Sequence, residues 1–146
     1  MTEFYAQNIF GDEVNIDLAA EEEIIKSAAK KESFNIFTLT DATGARKKKD
    51  AWILYQKALA SGMVADDIFW RAIAWEIKTL LLASKTVSAE EAGLNPFVYQ
   101  KAKAYCKNFK PGELEQISED LVVGYHNARR GIGEIETLIE KMLLSL

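Results

Sequence analysis

The sequence predicts an all-α fold, a compact bundle of about six or seven helices, and three observations carry that reading. Only two prolines and eight glycines interrupt 146 residues. Between them, stretches dominated by Ala, Leu, Ile, Lys and Glu run well past strand length. Within those stretches apolar positions recur at steps of three and four, and no strand pattern, internal repeat or low-complexity segment stands out.

The elements follow in order. Residues 1–16 show no helical period and read as a loose arm. Asp17 reads as the N-cap of a short linker helix, LAAEEEIIKSAAKK, with acids in its first turn and lysines in its last, as the helix dipole prefers. The domain division is therefore 1–32, arm and linker helix, and 33–146, a helical domain. Ser33 is expected to cap FNIFTLTDAT, with Phe34, Phe37 and Thr38 on one face and Ile36 and Leu39 adjacent. Residues 45–61 form a third helix whose apolar face holds Trp52, Ile53, Leu54, Tyr55, Ala58 and Leu59, stopped by Gly62. The fourth, from about Asp66 to Ser84, is apolar nearly all round and should be the central helix of the core.

Ser88-Ala-Glu-Glu predicts a short capped turn closed by Gly93. Asn95-Pro96-Phe97 has two readings, a displayed peptide ligand or a helix start. Periodic flanks favour the start: Asn95 as cap, Pro96 at the first helical position, Phe97 turned into the core. Phe97, Val98, Ala102, Tyr105 and Phe109 form the inward face of this fifth helix. After Lys110-Pro111-Gly112, a sixth helix repeats Leu114, Ile117, Leu121, Val122, Tyr125 and Ala128, ending at Arg129-Arg130-Gly131. The seventh carries the stripe Ile135, Leu138, Ile139 and Met142.

Composition narrows the function classes. The chain is 49% apolar and 27% charged, which is ordinary globular usage. A net charge of −4 argues against a general nucleic-acid-binding domain, which needs a basic surface. The single cysteine, Cys106, cannot form an internal disulfide and suits a reducing, cytoplasmic compartment. The N-terminus has acids and no apolar core of a signal peptide, and the apolar window Ile68–Ala83 is too short for a bilayer. No membrane, cofactor, metal or small-molecule substrate is expected.

No catalytic constellation emerges. Cys106 and the single histidine, His126, fall on different helices, and a small buried thiol with a half-exposed imidazole is the ordinary reading. A zinc site needs more cysteine and histidine than the chain has. Glu21-Glu22-Glu23 and Glu90-Glu91 sit in first helical turns, where the dipole explains them. Gly131-Ile132-Gly133 joins two helices and follows no strand, so it is no dinucleotide turn.

Arg46-Lys47-Lys48-Lys49 is the sharpest charge feature. Four cations at a helix N-terminus oppose the dipole, at a cost of about 1 kcal/mol or less. With Arg129 and Arg130 they are the candidate contacts to an anion or DNA, and Trp52 and Tyr55 nearby read as core or interface residues.

In their joint order, these segments resemble the C-terminal domain of the delta subunit of the bacterial DNA polymerase III clamp loader. SFNIFTLTDAT resembles the family's opening helix, and a helix closing on LASG follows. IFWRAIAWEIKTLLLASK is similar to its apolar central helix. AGLNPFVYQKAKAYCKNFKPGEL resembles its Gly-Leu-x-Pro-Phe/Tyr-Val opening and the helix after it. LVVGYHNARRGIGEIETLIEKMLLSL resembles its paired closing helices. The likeness spans residues 33–146 and only the C-terminal part of a full-length delta subunit. Tyr125, His126 and Asn127 stand where the family usually has Asp and Lys. Clamp opening belongs to the family's ATPase-like domains and is not carried over.

The resemblance implies a collar role in DNA replication. A non-catalytic helical domain of this kind packs against other clamp-loader subunits in a hetero-oligomer of the polymerase III holoenzyme. Ile135, Leu138, Ile139 and Met142 are the expected partner interface. The alternative is a small helical nucleic-acid-binding module using the Arg46–Lys49 cluster.

Overall fold

A computed structural model of the chain describes residues 3–7, 13–17 and 34–146. The chain divides into two units, Met1–Phe34 and Asn35–Leu146.

The first unit holds a two-stranded antiparallel ladder, β1 Glu3–Gln7 with β2 Glu13–Asp17, in which Phe4 lies opposite Ile16 and Ala6 opposite Val14. This corrects the reading of residues 1–16 as an arm without regular structure. The alternation Val14-Asn15-Ile16, facing the β-favouring Phe4-Tyr5 pair, was the missed signal. The linker helix expected after Asp17 lies outside the described residues, as does Ser33.

The second unit is all-helical. Helix α1, Ile36–Gly44, starts at Asn35, whose side chain accepts from the Phe37 N–H at 3.0 Å. Its buried face is Ile36, Leu39, Thr40 and Thr43, the residues beside the expected Phe34, Phe37 and Thr38 face, and Phe37 is 63% exposed. Both threonines satisfy their hydroxyls on their own helix, Thr40 donating to the Phe37 carbonyl and Thr43 to that of Leu39. They therefore pack as apolar residues do. Lys47 N–H donates to the Ala42 carbonyl and Arg46 N–H to that of Thr43. These bonds close the helix around Arg46, which takes the left-handed conformation at φ 55°.

Helix α2, Lys48–Ala60, starts three residues later than the charge pattern suggested. It buries Ala51, Tyr55 and Ala58, leaves Trp52 half-buried and turns Ile53 outward. The central rod follows as α3 Ala65–Ile68, a π-helical stretch Phe69–Ala74, and α4 Trp75–Ser84. Ala65, Phe69, Ile73 and Ile77 are all buried at steps of four. An ideal 3.6-residue turn would rotate such a row by about 40° per step. The wider i→i+5 turns absorb that drift and keep the row against its neighbours. The rod packs on α1 and on the three long helices that follow, so the central-helix expectation holds.

The remaining helices are α5 Ala89–Ala92, α6 Pro96–Tyr105 with a 3₁₀ turn Cys106–Asn108, α7 Glu113–Arg129 and α8 Ile135–Leu144. Short α5 is capped much as in a capping box: Ser88 Oγ accepts from the Glu91 N–H, and Glu91 reaches back to accept from the N–H of Val87, one residue before the cap. Asn95 caps α6 by accepting from the Phe97 N–H at 2.9 Å, with Pro96 at the first position. Phe97, however, is 69% exposed and not a core residue. Among the described residues, no helix is long and apolar enough to cross a membrane.

Candidate interaction surface

Two depressions flank α4. The first is an apolar trough between the central rod and α7. It combines cavities of about 470 and 440 Å3 that share Ser118 and Val122 in their lining. Trp70, Trp75, Leu81 and Leu82 form one wall, and Leu121, Val122 and Tyr125 the other. At one end Phe69 stacks on Tyr125, with centroids 4.9 Å apart and an interplanar angle of 19°. Trp70 meets both rings edge-on. Tyr125 donates its hydroxyl to Asp66 at 2.9 Å, which fixes the ring that forms the wall. Trp70, Val122 and Val123 remain more than half exposed. Contiguous apolar surface of this kind is what a partner-binding groove presents.

The partner stripe read from the sequence lies elsewhere. Ile139 and Met142 are buried in the chain's own core, with Ile135 and Leu138 half-buried, where α8 packs on α2 and α7. That corrects the assignment of Ile135, Leu138, Ile139 and Met142 as an exposed interface. Gly124 explains the close approach: a Cβ there would strike the Leu138 side chain. A glycine inside an otherwise good helix was the available clue that α7 receives a neighbour at that point.

The basic cluster is divided. Arg46 is spoken for within the chain: its guanidinium pairs with Glu113 and lies 4.7 Å over the Phe109 ring. That contact, together with the Lys110 N–H, holds the Glu113 carboxyl below the usual range. Lys47, Lys48 and Lys49 are exposed at the start of α2, and Arg129 and Arg130 at the end of α7. Cys106 donates its thiol to the Leu80 carbonyl at 3.2 Å, and burial pushes the thiol pKa up, which disfavours the nucleophilic thiolate. His126 sits on the rim of the trough. Among the described residues, no group of three His, Cys, Asp or Glu side chains is placed to hold a metal.

Family models, curated proteins and solved structures yield no match to this chain.

The second depression, of about 310 Å3, opens between α1, α4 and α6. Sequence reasoning missed it. Glu76 lies in its floor, 5% exposed, and accepts no hydrogen bond from any described residue. Burial first, then the Asp41 carboxylate, push its pKa up from 4.5 to about 7, while Lys101 opposes that rise. Lys101 is itself engaged by both Asp41 oxygens, at 2.9 and 3.0 Å. Phe37 and Phe97 stand at the mouth, each displayed by the first turn of an Asn-capped helix. The signal was the spacing of Glu76, three residues after Ile73 and four before Leu80, both inward positions on the central helix.

Proposed function

We propose that the helical unit is a non-catalytic assembly module that acts in DNA replication as the collar-like domain of a clamp-loader delta-like subunit. The observation that carries the assembly reading is the apolar trough between α4 and α7. It is extended and aromatic at one end, and half-exposed Trp70, Val122 and Val123 line or flank it. The clamp-loader partner class rests on the sequence resemblance over residues 33–146. Nucleic-acid binding through the basic cluster is the weaker reading, because Arg46 is already paired with Glu113.

Co-expression of the chain with the collar domains of the other clamp-loader subunits from the same cell tests the proposal. Co-purification is expected, and Val122→Asp should abolish it. Val122 is 54% exposed, so the variant should keep the wild-type circular dichroism and thermal midpoint. Absence of any complex, or a complex indifferent to Val122→Asp and Val123→Asp, would defeat the proposal.

A further inference from the structure

The Glu76 cleft borders the assembly trough at Trp75 and differs from it in chemistry, because a carboxyl with no donor among the described residues lines it. A buried carboxyl is ordinarily hydrogen-bonded or paired. Glu76 is more than nine-tenths buried, lines the cleft and has no such partner among the described residues. Its neighbours do not supply one. Thr40 donates its hydroxyl to the Phe37 carbonyl. Lys101 gives its ammonium to Asp41. The Tyr105 ring packs with the Glu76 carboxyl around Gly44, at a point where even a Cβ would lie 2.5 Å from each.

The charged and titratable groups facing Glu76 are Asp41 from α1, Lys101 and Tyr105 from α6, and the Cys106 thiol after it. Asp41 and Lys101 cancel, so an ionised Glu76 leaves the set with one excess negative charge. The mouth adds two exposed phenyl rings, and one of them already attracts a cation: the Lys101 ammonium lies 5.4 Å over Phe97. A buried carboxylate below and aromatic faces above suit a planar, weakly hydrated cation with several donors.

We propose that the cleft between α1, α4 and α6 is a binding site for a guanidinium group, which donates to Glu76 and stacks between Phe37 and Phe97. Only the ionised carboxyl accepts such a partner. With Glu76 titrating at about 7 in the empty cleft, affinity should rise about tenfold from pH 6 to pH 8, following the ionised fraction. Binding near neutral pH releases a proton.

The test is an NMR titration of the full chain with two probes, Nα-acetyl-arginine amide and free arginine. Expected are shifts of the Trp75 indole and the Phe37 and Phe97 rings, with affinity about tenfold higher at pH 8 than at pH 6. Glu76→Gln should abolish the shifts while retaining a native spectrum, and Glu119→Gln, an exposed control, should leave them unchanged. Phe97→Ala should weaken binding severalfold, and it provides a second readout because Phe97 is exposed. Stronger binding of the blocked amide assigns the site to an arginine side chain of a polypeptide, and stronger binding of free arginine to a small molecule. Unmoved cleft signals, binding independent of pH, or equal binding by wild type and Glu76→Gln overturns the proposal.

Discussion

The two depressions beside α4 share Trp75 in their linings and differ in what was buried to make them. The α4/α7 trough is walled mainly by aliphatic and aromatic side chains, and the half-buried Tyr125 hydroxyl at its end is satisfied by Asp66. Its construction follows mainly from hydrophobic burial, with a surplus of apolar surface left outward. The Glu76 cleft carries an electrostatic penalty that Lys101 offsets only in part and that no hydrogen bond from a described residue relieves. An exposed apolar surplus invites a large partner with little chemical discrimination, whereas an incompletely relieved buried carboxyl selects by charge and donor geometry. The contrast can be broken or sharpened by substitutions on the cleft side of the molecule.

The largest effect should come from Glu76 itself. The folded chain holds the Glu76 proton up to about pH 7, while an exposed glutamate releases it near 4.5. Folding therefore takes up a proton between those values, and stability falls as pH rises through that window. Below it the penalty is absent, and above it the penalty is complete, on the order of 3 kcal/mol. Glu76→Gln should flatten this dependence, matching wild type near pH 4.5 and exceeding it at pH 8. Urea unfolding of both proteins across pH decides the matter: parallel curves would show that Glu76 is relieved by something within the fold.

Gly44→Ala should cost about 2 kcal/mol, because the new methyl group would overlap the Glu76 carboxyl and the Tyr105 ring. If the two depressions are separate devices, this variant should still form the complex that Val122→Asp abolishes. Loss of both folding stability and assembly would mean that the cleft and the trough are one mechanical unit.

Tyr55→Phe should act in the opposite direction. The Tyr55 hydroxyl is fully buried with no hydrogen-bond partner among the described residues, and burial, helped by Glu140 and Glu136, pushes its pKa to about 12. Removing it should stabilise the chain by about 1 kcal/mol, read as a higher thermal midpoint. Unlike Glu76, Tyr55 lines neither depression described above. A destabilised Tyr55→Phe would show that an orphaned polar group in this fold need not be costly, and would weaken the reading of Glu76 as a site.

The helical unit was largely legible because its periodic stretches are long and its stops explicit. The central helix, the Ser88 cap and the Asn95-Pro96 start came directly from residue types whose chemistry is local. Errors fell where a neighbour decides the outcome. Spacing groups Phe34, Phe37 and Thr38 on one face of α1, but the buried face is Ile36, Leu39, Thr40 and Thr43; both threonines bond to their own backbone, and Phe37 is left outside. The stripe on α8 was correctly amphipathic, but periodicity does not say whether its partner is the same chain. Glu76 was overlooked because a lone acid in an apolar helix does not reveal which element covers it.

Asn95-Pro96-Phe97 separates these two kinds of information within three residues, and it carries the smallest predicted effects. Asn95→Ala removes the acceptor that satisfies the Phe97 N–H and should cost about 1 kcal/mol. Phe97→Ala removes a ring that is 69% exposed and should change stability by no more than about 0.5 kcal/mol. Had Phe97 been the core anchor that its spacing suggested, its truncation would cost about 3 kcal/mol or more. Urea unfolding of the two single variants discriminates sharply, because the core-anchor and exposed-ring readings reverse their order. The exposed-ring order would leave Phe97 free to serve the cleft.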